Sequence, residues 1–264
     1  MQTIEEPPGS SIRTRETYTP GYSPNATAFM SARTVESHAA FVLPLLERGL
    51  EVLDVGCGPG TITQGIAEYV LPGRVTAIDR DHAQVTHAAR LAEGRELTNV
   101  RFVAGSAYQL PFADASFDLV FSHALFEHLS NPRGALAEIR RVLRPGALVA
   151  LASPDWNSFE MRKATPAAEA AIADYRRLQE RNGGDTQAGG RLVRLLQDGE
   201  FGLIRKGQRL ENYESAMSIA TYLALQLDAA GNPGAAHALL DWSTEPGAEL
   251  LGCWKYAIGI KWNR

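Results

Sequence analysis

The stretch 52-VLDVGCGPGTIT-63 constrains this chain more than any other. An apolar run leads into Asp54, and Gly56, Gly58 and Gly60 then occupy alternate positions ahead of a helix-forming segment. Glycine lacks a Cβ and reaches φ > 0 freely, so this loop can bend sharply and let the backbone approach a ligand closely. A strand that empties into such a turn and then a helix is the opening unit of an open sheet that binds ligands at its carboxyl ends.

The sequence repeats that unit. Strands are predicted at 51-EVLDV-55, 74-RVTAID-79, 100-VRFVAG-105, 117-FDLVFSHA-124 and 147-ALVALAS-153. Helices are predicted at Thr61 to Val70, 81-DHAQVTHAARLA-92 and 133-RGALAEIRRVL-143, the last terminated by 144-RPG-146. Short, continuously apolar strands alternating with helices indicate a parallel sheet covered on both faces. The rhythm then breaks. Residues 156 to 197 look helical, 203-LIRKGQRLENY-213 looks like a strand, and 214 to 242 is helical again. The alternating run 253-CWKYAIGIKW-262 suits an antiparallel strand closing the sheet. Upstream, residues 1 to about 24 are rich in Pro, Gly, Ser and Thr and are predicted to lack regular structure. Residues 26 to 46 show helical spacing with a break at Pro44.

Composition removes several classes of function. The 264 residues carry a formal charge of -4 with no dense Lys/Arg run, which disfavours nonspecific nucleic-acid binding. Two cysteines, Cys57 and Cys253, make no disulfide framework and no metal spacing, as expected of a cytoplasmic chain without a bound metal. The N-terminus has no apolar signal region, and no run of about 18 apolar residues suggests a membrane span.

The spacing Asp54-x-Gly56-x-Gly58-x-Gly60 resembles motif I of the class I S-adenosylmethionine-dependent methyltransferases. The following blocks come in the matching order: Asp79 ending the second strand, then 105-GSAYQLPF-112, 114-DASFDLVFSHALFEHL-129 and 136-LAEIRRVLRPGALVALASPD-155. Over residues 48 to 155 they are similar to the small-molecule group that includes ubiquinone and menaquinone biosynthesis enzymes. The segment 18-YTPGYSPNATAFMSARTVESHAAFVLPLL-46 also looks like the N-terminal helix of actinobacterial and fungal relatives. The resemblance implies a Rossmann-like, doubly wound α/β fold. Its seven-stranded sheet would be mostly parallel, with an antiparallel last strand and added helical cap elements. Residues 1–47 would form an N-terminal segment with cap helices. Residues 48–264 would form the cofactor-binding domain, with helical insertions at about 156–197 and 214–250.

The resemblance also implies roles. The loop Gly56, Cys57, Gly58 and Gly60, with Asp54 before it, would lie beside the amino-acid and ribose parts of S-adenosylmethionine. Asp79 would bind the ribose hydroxyls, and Arg80 would lie along the adenine. Ser106 and Ala107 would sit at the adenine edge, where relatives commonly carry an acid after the glycine. Tyr22 and Arg33 are candidates for the cofactor carboxylate. Ser122 and His123, at the end of the fourth strand, are candidates near the methionine part. S-adenosylhomocysteine would be the product.

Methyl transfer from a sulfonium is an in-line displacement, and its enzyme chiefly aligns the reactants and excludes water. Oxygen or protonated nitrogen acceptors also benefit from a base. His123, Glu127 and His128 are the candidates, and each also has a structural explanation: Phe-Glu-His recurs across the group whatever the substrate. Asp155 and Trp156 lie where an acceptor would approach, and Tyr213, Tyr222, Trp242 and Trp254 are candidate pocket aromatics or core residues. The expected function is methyl transfer to oxygen, nitrogen or carbon of a small, possibly secondary-metabolite acceptor, by a monomer or homodimer. One alternative is a relative that uses the bound cofactor for cyclisation or decarboxylation. Another is a nucleic-acid methyltransferase, disfavoured because 122-SHAL-125 replaces the Asn/Asp-Pro-Pro-Tyr/Phe signature of enzymes that methylate adenine nitrogen. A dehydrogenase would need a third glycine at position 61, which is Thr61.

Overall fold

In a computed structural model, which describes residues 16–213 and 215–262, the chain opens with helices α1 (Pro24–Ser31) and α2 (Val35–His38) and a 3-10 turn at Leu43–Leu45. The expected unstructured opening lies outside the described residues as far as residue 15. The helical spacing of 26 to 46 is divided more finely than expected. Ser23 caps α1 by accepting from Ala26 N–H, Thr34 caps α2 in a reciprocal box with Ser37, and Pro44 falls in the 3-10 turn.

Strand and helix then alternate: β1 (Glu51–Val55), α3 (Thr61–Val70), β2 (Arg74–Asp79), α4 (His82–Gly94), β3 (Val100–Ala104), β4 (Phe117–His123), α5 (Pro132–Val142) and β5 (Leu143–Pro154). The helices begin where the sequence provides caps. Asp81 accepts from Gln84 N–H at 2.8 Å, and Asn131 accepts from Gly134 N–H with Pro132 following at the first helical position. β5 starts four residues earlier than expected. Its pairing with β4 jumps from Phe117↔Leu143 to Leu119↔Leu148, so Arg144 to Ala147 bulge from the ladder, with Arg144 paired to Asp118.

The second half comprises β6 (Glu160–Arg162), α6 (Pro166–Arg181), α7 (Ala188–Asp198), β7 (Phe201–Asn212), α8 (Ala216–Ala229), α9 (Pro233–Ser243) and β8 (Glu249–Lys261). The sheet runs β3-β2-β1-β4-β5-β8, with β7 and β6 both pairing β8. Pairs from β3 through β5 are parallel, and β8 lies antiparallel between β5 and β7. The described residues thus make eight strands rather than seven. The addition, β6, is three half-exposed residues inside a region expected to be helical, too short to show an alternation.

The pleat divides the core. Leu53, Val55, Val120 and Leu151 face Leu136 and Ile139 of α5 and Leu192 and Leu196 of α7. Val52, Val75, Leu119 and Phe121 face Ile66, Ala67 and Val70 of α3, with Val35 and Val42 from the N-terminal elements. Fully burying one such aliphatic or aromatic side chain contributes about 1.5–3 kcal/mol. α7 therefore belongs to the sheet layers, whereas α1, α6, α8 and α9 pack into a separate cluster with Trp156, Tyr175, Tyr222 and Trp242. Strand order reverses between β1 and β4, opening a crevice at their carboxyl ends. No helix among the described residues is long and apolar enough to cross a membrane.

Candidate functional site

The glycine loop fills that crevice. Gly56, Gly58 and Gly60 have φ of +80°, +51° and +77°, a region that side-chain-bearing residues rarely adopt. A Cβ on Gly60 would lie 2.7 Å from Ala88 Cβ and 2.8 Å from the Phe102 ring, so this glycine allows α3 to close on α4 and β3. At Gly58 a Cβ would meet nothing within 4 Å, because that face opens into a cavity. The loop is pinned to β2: Gly56 and Cys57 N–H groups donate to Ile78 O at 2.8 and 3.2 Å. Gly58 N–H donates to Asp79 Oδ2 at 2.9 Å, while Asp81 N–H donates to Oδ1 at 3.0 Å. Each Asp79 oxygen keeps lone-pair capacity, so the carboxylate can also accept from two hydroxyls of a diol. Burial raises its pKa, and the two backbone donors oppose that rise.

The cavity has a volume of about 270 Å³. Of the residues singled out in the sequence, Tyr22, Arg33, Gly56, Cys57, Gly58, Asp79 and Arg80 line it, as do Ser106, Ala107, His123 and His128. Gly60, Asp54 and Ser122 do not. Gly60 faces Ala88 and Phe102 as above. Asp54 is buried under the loop, accepts from Thr63 Oγ1 at 2.6 Å, and has its pKa pushed up to about 7 by burial. Ser122 donates to Val55 O at 2.8 Å and ties β4 to β1.

The sequence reading missed Glu16, Tyr18, Met30 and Tyr108 as lining residues. Glu16 latches the N-terminal segment across the cavity. Its Oε2 accepts from Tyr108 OH at 2.6 Å and from Ser130 N–H and Oγ at 3.0 Å, and Oε1 accepts from Arg80 at 3.1 Å. No local pattern marks Glu16, because its partners lie at least 64 residues away. Ser106 turns its hydroxyl onto Tyr108 N–H at 3.2 Å.

The three candidates for proton transfer differ in environment. His123 stacks on Trp254 (4.7 Å, 16°), meets His38 edge-on, and has a buried Nε2 without a partner. Burial holds its pKa well below the usual value, and Arg33 acts in the same direction. His128 packs edge-on against Tyr18, and burial pushes its pKa down to about 3. Both rings are neutral near pH 7. Glu127 is 3% exposed and accepts from Ser153 Oγ at 2.8 Å on Oε2, and burial raises its pKa to about 7. His38 lines neither cavity and bonds Glu211 Oε1 at 2.8 Å.

A second cavity of about 60 Å³ adjoins the first, and Tyr18, Met30, Arg33, Ala124 and His128 line both. Its remaining wall is mainly aromatic, with Pro20, Pro154, Gln179, Ile219 and Leu223 between the rings. Phe29 stacks on Tyr222 (4.2 Å, 17°) and Trp156 on Phe159 (4.4 Å, 30°), with Tyr175, Tyr213 and Trp254 completing it. Glu127 lines this cavity. Trp242 does not: it donates to Arg162 O at 3.1 Å within the cap core. Asp155 also turns away, to Lys255 at 2.5 Å and Asn157 N–H at 3.2 Å. Arg33 has no acid partner among the described residues and lies over Trp254 and Phe29 at 5.2 and 5.8 Å. The arrangement can therefore hold a diol at Asp79 and an anion at Arg33, beside an apolar chamber with a single acid.

Comparison with known proteins agrees with this architecture. The family model for a methyltransferase domain matches residues 53–151. An uncharacterised methyltransferase of Schizosaccharomyces pombe is 36% identical over 129 residues, covering 47% of this chain and 46% of the relative. The chain spans about half the length of the curated relatives it matches. A crystal structure of an S-adenosylmethionine-dependent methyltransferase from Aquifex aeolicus superposes with a TM-score of 0.59 at 18% identity, covering 91% of this chain and all (100%) of that one. The cyclase SpnF superposes with a TM-score of 0.56 at 22% identity over 90% of this chain and 80% of its own. These two likenesses concern the fold alone. Residues 53–151 of this chain, with their glycine loop, Asp79 and strand reversal, match a methyltransferase domain and share the fold of an S-adenosylmethionine-dependent methyltransferase.

Proposed function

We propose that this chain binds S-adenosylmethionine in the larger cavity and transfers a methyl group to a small molecule seated in the smaller one. The observation that carries this reading is the mouth shared by the two cavities at the carboxyl ends of β1 and β4, bounded by Arg33, Ala124 and His128. The residues present suit the cofactor. Asp79 would accept the ribose hydroxyls, Arg80, Ser106 and Ala107 would border the adenine, and Arg33 with Tyr22 would hold the carboxylate. Asp54, Gly60 and Ser122 would act behind the wall, by fixing the loop and the two central strands. The bound sulfonium would supply an electrophilic methyl group. The chain's own contribution is to orient the acceptor and exclude water, effects that can lower a barrier by about 7–11 kcal/mol. We read residues 48–264 as the catalytic domain, with residues 1–47, α6, α8 and α9 as its cap.

Calorimetric titration with S-adenosylmethionine tests the reading, and no binding at millimolar cofactor would sink it. A second reading follows from the fold likeness to a cyclase: the cofactor could be held while the aromatic chamber promotes a non-methylating reaction. Mass spectrometry separates the two, since only methyl transfer yields an acceptor heavier by one methyl together with S-adenosylhomocysteine.

A further inference from the structure

Resting on that reading, we infer that the acceptor is a single-ring phenol whose hydroxyl proton is taken by Glu127. The smaller cavity is bounded by the two stacked pairs, Phe29 on Tyr222 and Trp156 on Phe159, which offer flat faces to a ring. At about 60 Å³ it is smaller than the roughly 150 Å³ void that encloses benzene, so a ring must sit partly in the shared mouth, and two fused rings exceed the space.

Charge narrows the class further. Among the described residues the lining contains one permanent cation, Arg33, and one carboxyl, Glu127, with His128 held neutral. A lone guanidinium, stacked on aromatic rings, gives a phosphate or diphosphate no cluster to bind. With no cofactor carboxylate on it, the same cation opposes an ammonium acceptor and favours an oxygen that becomes anionic; with the cofactor bound, the sulfonium would do so in its place. Glu127 is the group placed to receive the proton. Ser153 Oγ holds its Oε2 at 2.8 Å, His128 Nε2 stays 3.8 Å from Oε1, and no side-chain donor occupies Oε1. Its backbone is fixed as well: Glu127 O accepts from Gln179 Nε2 at 3.1 Å and Asp185 N–H at 2.9 Å.

The balance is simple. The phenol O–H bond breaks to Glu127 as its oxygen takes the methyl carbon, the electron pair of the broken carbon–sulfur bond stays on sulfur, and Glu127 then loses the proton to solvent. The groups facing this carboxyl are Arg33 from the α1–α2 junction, His128 beside it, Tyr18 from the N-terminal segment, Tyr175 of α6 and Tyr222 of α8. Burial places the acid near pH 7, and Arg33 and Ser153 limit the rise.

The test compares phenol, 4-nitrophenol, benzylamine and phenyl phosphate on the full chain and on Glu127→Gln. Binding is followed first without methyl donor, through tryptophan fluorescence, since Trp156 and Trp254 line the chamber. Phenol should bind, and benzylamine and phenyl phosphate should not. In methyl transfer, Glu127→Gln should lose about 100-fold or more on phenol. On 4-nitrophenol, about half of which is already ionised at neutral pH and needs no base, the loss should stay within about 5-fold. The wild-type rate should fall as pH drops below about 7, and that limb should vanish in the variant. Difference infrared spectroscopy of the donor-free protein should show a protonated carboxyl titrating near pH 7 that the variant lacks. Equal losses on both phenols, or preferential binding of benzylamine or phenyl phosphate, would overturn the inference. S-adenosylhomocysteine affinity, measured on both proteins, shows that the variant folds. If that ligand fails to bind the wild-type chain, the functional reading fails; if it binds while phenol does not, only this inference does.

Discussion

The two adjoining cavities are made from different materials. The larger rests on main chain: Gly56 and Gly58 at positive φ, backbone donors on Ile78 O and Asp79, and the ends of two parallel strands. The smaller is lined mainly by large side chains from the N-terminal segment, α1, α6, α8 and β8, and from the segments that follow β4, β5 and β7. A main-chain site tolerates many side-chain changes but few changes of backbone conformation. A side-chain site has the opposite sensitivity, so its acceptor can change by point substitution while the loop beside it stays the same. This division matches the general rule that function resides in sites grafted on a fold.

The sharpest way to break this comparison is Asp79→Ala, the side chain that both holds the glycine loop and faces the cavity. It leaves Gly58 and Asp81 N–H without their acceptor and removes the diol contact. S-adenosylhomocysteine affinity should fall about 100-fold, or roughly 3 kcal/mol, by calorimetry. A loss under about 3-fold would show that the backbone alone holds the ligand.

Gly60→Ala should have the next largest effect, on folding. Its Cβ would meet Ala88 at 2.7 Å and Phe102 at 2.8 Å at a φ of +77°, so we expect about 2–4 kcal/mol of destabilisation in urea unfolding. The matched Gly58→Ala, with open space around the new Cβ, should cost about 1 kcal/mol in the same assay while weakening ligand binding. Equal stability losses at the two positions would contradict the structure's distinction between them.

The smallest effect belongs to the aromatic chamber. Phe29→Leu and Tyr222→Leu, singly and together, should reveal a coupling of about 1 kcal/mol in stability, as stacked rings do. Neither should change S-adenosylhomocysteine affinity by more than about 2-fold, because neither lines the larger cavity. A large change would mean that the cap and the glycine loop form one site.

Legibility followed the range of the interactions. β1, α3 and β2 have the boundaries that their apolar runs and glycines predict, since strand, turn and helix are set by neighbours within a few residues. Asp79 was readable for the same reason: it ends a strand and answers a motif 19 residues earlier. β6 was not, because three residues hold no period and pair only with a strand 87 residues or more downstream. The separation of α7 from the cap was equally hidden, since an amphipathic helix does not state which apolar surface it will cover.

By itself, then, the sequence determined the strand–loop–helix unit, the alternation behind it and the three glycines whose backbone conformation no other residue adopts without strain. Only the tertiary structure decided that Glu16 latches across the larger cavity, that Trp156, Tyr213 and Trp254 face the second chamber while Trp242 does not, and that Asp54 and Ser122 lie behind the wall. It also buried Glu127 with Oε2 held by Ser153, while making His123 and His128 neutral. The reason is physical: conformational preference is a local property of the chain, whereas burial, and the proton affinity it sets, depends on which distant segments meet.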